Sequence, residues 1–92
     1  QQVLIQSEIR NEQKTVQEFA YIVQIKDSDG ITVSTSWTSG QLFANDSIIT
    51  AQSWIPERTG DYEIEIFVWA TVDNPDPLSV SRTVNVKVNS SV

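Results

Sequence analysis

The chain has 92 residues, twelve acidic against six basic side chains, a net charge of −6, and no cysteine, histidine or methionine. That length suits one domain with its own core and is too short for two. Lacking His and Cys, it has neither the commonest general base and metal ligand nor a thiol nucleophile or disulfide, so no cofactor is implied and a non-catalytic role is expected.

The basic residues are scattered rather than clustered, which argues against a phosphate-binding face for nucleic acid and against attraction to an anionic membrane. No apolar run approaches the ~20 residues that cross a bilayer, and no basic-then-apolar leader is visible. The opening QQVLIQ and the absence of methionine lead us to expect a piece of a longer protein.

From the N-terminus, QQVLIQSEIR sets Val3, Ile5 and Ile9 against Gln6, Glu8 and Arg10, the period of a strand. VQEFAYIVQIKD alternates Phe19, Tyr21, Val23 and Ile25 against Gln24 and Lys26. A helix over NEQKTVQEFAYIV competes, since Val16, Phe19, Ala20 and Val23 also fall at helical spacing. Aromatic and β-branched content favours the strand. DSDG then reads as a tight hairpin turn.

ITVSTSWT is expected to point Ile31, Val33 and Trp37 inward. SGQLFAND reads as a loop, with a short seventh strand over GQLFAN as the alternative. SIITAQSWIP is a strand of open register, because Trp54 shares parity with Ile48 while Ile49, Ala51 and Ile55 have the other. A long strand from Tyr62 to about Val72 carries Ile64, Ile66 and Val68 inward, and DNPDP stops it. SVSRTVNVKV is expected to bury Val84, Val86 and Val88, and NSSV is a frayed end. One domain therefore covers 1–89, with 90–92 disordered. About seven strands and no convincing helix predict an all-β, two-sheet antiparallel β-sandwich.

The stretch SWIP…TGDYEIEIFV resembles bacterial and archaeal immunoglobulin-like and fibronectin type III-like surface repeats, among them the adhesion-related CARDB family. FAYIVQIKDSDGITVSTSW looks like the second and third strands of such repeats, and ATVDNPDPLSVSRTVNVKV like their final hairpin. The resemblance covers nearly the whole chain and implies an immunoglobulin-like sandwich. It implies that Gly60 and Tyr62 form a tyrosine corner, the phenol bonding backbone a few residues upstream, with Trp54 a core residue leading into it. Many relatives carry an acid four residues before the tyrosine, where this chain has Arg58. The role implied is a structural spacer or an adhesion or recognition unit of an exported or cell-surface protein. Its partners would be neighbouring domains or surface proteins.

Lettering the strands A, B, C, E, F and G puts the B–C and F–G turns at one pole. Asp27 and Asp29 would then meet Asp73 and Asp76, enough oxygens for a weak calcium site, although Asp is also simply a turn former. Under the same lettering F lies between C and G, and Phe67 and Trp69 project from the outer face. They are either covered by Leu42 and Phe43 or free as a contact surface for a protein or a glycan. The glycan reading makes the chain a carbohydrate-binding accessory domain of an extracellular enzyme. Glu63 and Glu65 share that face and read as a solvated stripe. Asn45 and Asn89 head N-glycosylation triplets. The two ends of the domain are expected at opposite poles, roughly 30 Å or more apart, as a bead in a string requires.

Overall fold

Period-two alternation gives six strands in the computed structural model, which describes residues 2–70, 77–78 and 81–89. They are β1 Val3–Arg10, β2 Gln17–Lys26, β3 Thr32–Leu42, β4 Ser47–Trp54, β5 Gly60–Trp69 and β6 Arg82–Val88. The segment that also fitted a helical period is β2, and no helix occurs among the described residues. Every strand pair is antiparallel. β1 pairs with β4 as a two-stranded sheet, and the other four lie in the order β3-β2-β5-β6. The expected all-β, two-sheet antiparallel sandwich is formed, with six strands among the described residues.

The core lies between the sheets. Phe19, Tyr21, Val23 and Ile25 of β2 meet Tyr62 and Ile64 of β5, Val88 of β6, Leu42 of β3 and Ile5 of β1. Two polar contacts place the small sheet over the large one. Ser7 Oγ on β1 bonds Tyr21 Oη on β2 at 2.8 Å. Gln52 on β4 bonds Ser36 and Thr38 on β3. So β1 rides above β2 and β4 above β3.

This order corrects the strand lettering by one place. β5 is flanked by β2 and β6, not by β3 and β6. In immunoglobulin sandwiches B and E share one sheet, while C, F and G share the other, with C′ beside C in variable-type domains. The observed pairing fits when β1 is B, β2 is C, β3 is C′, β4 is E, β5 is F and β6 is G. Strand A has no counterpart among the described residues.

Three expectations change with it. First, the turn after β2 and the end of β5 lie at opposite poles, because Lys26 pairs with Glu63 while Ala20 pairs with Trp69. Asp27 and Asp29 are thus at the far end of β5 from its exit at Trp69, and Asp73 and Asp76 lie outside the described residues. Second, six strands that reverse at every step return to the starting pole. Val3 is opposite Trp54, the Trp54 ring touches Tyr62, and Tyr62 is opposite Val86. The domain's two ends are neighbours. Third, GQLFAN is no separate strand and SGQLFAND no loop, since β3 runs on to Leu42.

The parity of β3 is also reversed. Ser34, Ser36, Thr38 and Gly40 pair with the inward residues Ile25, Val23, Tyr21 and Phe19. Ile31, Val33 and Trp37 are 61, 46 and 57% exposed rather than inward. The cause is the polar bridge to Gln52, which wants hydroxyls on the inner side of this edge strand. On β6, Val88 is buried and Val86 half-buried as expected, but Val84 is 50% exposed because no described strand lies over it.

Candidate functional site

The outer face of the large sheet is read rung by rung. Trp37, Ile22 and Phe67 form one rung across β3, β2 and β5, since Ile22 is paired with both other residues. Ser39, Ala20 and Trp69 form the next, and Thr35, Gln24 and Glu65 the one on the other side. With strands ~4.8 Å apart and rungs ~6.8 Å apart, the three rings occupy one contiguous area about 10 Å wide. The Phe67 and Trp69 rings sit 5.8 Å apart at 42°. Both are half-buried, while Trp37 stands well out.

Beneath them Ile22 is only 7% exposed although it faces outward, and Ala20 is fully buried. Rings on either side of a small aliphatic floor account for this. The rings are not covered as the alternative reading required. Leu42 is buried on the opposite face of the sheet within the core, and Phe43 is exposed at the β3–β4 turn.

The polar border is fixed as well. Lys26 Nζ meets Glu65 Oε1 at 3.1 Å, so this carboxylate is paired, while Glu63 is exposed one rung further on. Gln24 Nε2 donates to Thr32 Oγ1 at 3.3 Å. The face therefore offers flat apolar rings edged by hydroxyl and amide groups.

The other predicted positions have structural employment. Tyr62 Oη donates to the Arg58 carbonyl at 2.8 Å, four residues upstream. This is the tyrosine-corner bond, and because the acceptor is backbone, an arginine side chain there is no obstacle. Trp54 packs edge-on to Tyr62, with centroids 4.7 Å apart. Gly60 has φ 143°, a region that side chains rarely adopt. Asp27 Oδ1 accepts from the amides of Asp29 and Ile31 at 2.9 and 3.0 Å, and Gly30 takes φ 81°. That carboxylate closes the hairpin. Among the described residues no three acidic groups gather as a metal site. Asn45, in the β3–β4 turn, and Asn89 are both exposed.

Sequence reasoning missed Trp37, Ile22 and Asn11. The signal for the first two is in β2, where Phe19-Ala20-Tyr21-Ile22-Val23 is apolar on both parities and so calls for cover on both faces. Asn11 is buried in the β1–β2 connection. Its Nδ2 donates to the carbonyls of Thr15, Leu42 and Phe43, and its Oδ1 accepts from the Gln13 amide. Comparison with family models, with curated proteins and with solved structures finds no match to this chain.

Proposed function

We propose that this chain is a non-catalytic recognition module of a larger exported or cell-surface protein, with the outer face of the β3-β2-β5-β6 sheet as its contact surface. The observation that carries the reading is the group of rings Trp37, Phe67 and Trp69 around Ile22, with Trp37 standing in solvent and neither Leu42 nor Phe43 over them. Aromatic side chains on a rigid sheet bury much area at little entropic cost, which is why they dominate binding energy at interfaces. Both ends of the domain leave from one pole. This favours a unit that projects its faces toward a partner over a spacer strung end to end.

A second reading, a carbohydrate-binding accessory domain, draws on the border of Thr35, Ser39, Gln24 and Thr83, which can hydrogen-bond a sugar lying on the rings. Two measurements on the wild type and on Trp37→Ala test both. Sedimentation across a dilution series reads homotypic adhesion, and retention on immobilised cellulose, chitin and xylan reads the glycan activity. Trp37 dependence of the first supports the adhesion reading, and of the second the accessory-domain reading. If neither behaviour changes on removing Trp37, the outer face is not the contact surface.

A further inference from the structure

On the inner face, two strands stand opposite four. With β1 above β2 and β4 above β3 at mid-strand, and Trp54 reaching Tyr62, no described strand lies above the upper half of β5 or the start of β6. Burial records the overhang. Along β6, inward-facing Val88 is 5% exposed, Val86 half-buried, and Val84 50% exposed. Along β5, Tyr62 and Ile64 are buried, while Ile66 and Val68 are only partly so. The uncovered end is a cleft of about 820 Å³, floored by Phe19, Tyr21, Ile66, Val68 and Leu78 and walled by β1. The wall is itself a sheet edge. Among the described residues β1 is bonded to β4 on one side only, and its other side presents N–H and C=O groups along Val3–Arg10 with no described partner strand.

We infer that this free edge of β1 takes up one extended strand of another polypeptide, which completes the small sheet and roofs the cleft. Three features define that strand. Its length is about that of β1, eight residues. Every second side chain is apolar, because those positions face Ile66, Val68 and Leu78; Arg82, opposite Ile66 on β6, also lines the cleft. The intervening side chains lie beside Glu8 and Arg10, which face outward opposite Ile49 and Ser47 on β4 and have no ion-pair partner among the described residues. A Lys or Arg beside Glu8 and a Glu or Asp beside Arg10 complement them.

A second copy of this domain is the poorer occupant. Joining β1 to β1 edge to edge would bring the two overhanging β5–β6 pairs into the same space. A net charge of −6 on each copy opposes the approach as well. A lone strand meets neither obstacle, and it adds to an existing ladder in the manner of β-augmentation. The inference concerns the opposite side of the large sheet from the aromatic face and stands independently of it.

The test uses the intact domain and a synthetic nine-residue peptide with Val at alternate positions, Lys beside Glu8 and Glu beside Arg10. The control has the same composition with the alternation broken. NMR with amide exchange should place the peptide on β1. With peptide held ~10-fold above its Kd, exchange of the edge amides of Val3–Arg10 should slow by about tenfold. The scrambled peptide should leave them unchanged. Glu8→Lys, at an exposed position, should keep the fold and weaken the effect, because it sets like charge beside the peptide's lysine. Equal response to both peptides, shifts confined to the outer face, or peptide-independent pairing of β1 with a second copy would each overturn the inference.

Discussion

Asn11 shows how much one buried amide can hold. Its side chain closes the β1–β2 connection and ties it to the end of β3 through the Leu42 and Phe43 carbonyls. Replacing it with Ala strands the buried Leu42 carbonyl, a loss of ~1–3 kcal/mol by the usual cost of an unmet buried acceptor. Tyr62→Phe removes one bond to a partly buried carbonyl and should cost less, ~1 kcal/mol. Urea denaturation of the two variants ranks them. A larger loss for Tyr62→Phe would mean that the corner, not the Asn11 clasp, fixes the chain crossover. Tyr62 was legible because a Gly-x-Tyr opening has a recognisable backbone role. Asn11 was not, because an asparagine between strands looks like any turn former until its three acceptors converge.

At the scale of elements, β1, β2 and β5 were legible because a mainly apolar parity meets the core, even where β2 and β5 carry apolar residues on the outer face as well. β3 was not. Apart from Leu42 at its end, its apolar residues Val33 and Trp37 share one parity, and that parity faces out, since hydroxyls opposite Gln52 occupy the inner one. Alternation reports which residues share a face and is silent on which face is inside. A directed comparison follows for the outer rung. Ile22 is enclosed by its neighbours, so Ile22→Ala should lower stability by ~2–3 kcal/mol through lost burial and a cavity. Trp37 is mostly in solvent, and Trp37→Ala should cost only ~1 kcal/mol, the ordinary scale of a point substitution. Denaturant titration gives both values. The reverse ranking would make the cover that Trp37 gives Ile22 its main role and remove it from the contact surface.

For the whole molecule, topology decides what alternation leaves open. The strand count and the turn positions are readable along the chain, but which strand is B is a long-range fact set by pairing. One step of lettering moved two turns to opposite poles and brought the two ends together. Six strictly alternating strands end where they began, so Gln2 and Asn89 should lie at one pole. The separation follows from the neighbours already described. Val3 is one strand from Trp54, whose ring meets Tyr62 across the sheets, and Tyr62 is one strand from Val86. With sheets ~10 Å apart and strands ~4.8 Å apart, the Cα distance between Gln2 and Asn89 should be about 15 Å.

Both sites are exposed, and the chain has no native cysteine, so Gln2→Cys and Asn89→Cys allow clean paired labelling. Spin-label broadening or short-range energy transfer reads the distance. The same geometry governs the response to tension. Force applied at one pole peels β1 from β4 one ladder bond after another, where force between opposite poles would shear them together. A domain built this way yields early under load, as a recognition unit may and a tether must not. A measured separation near 35 Å would place the ends at opposite poles, overturn the pairing order described here, and return the spacer to first place.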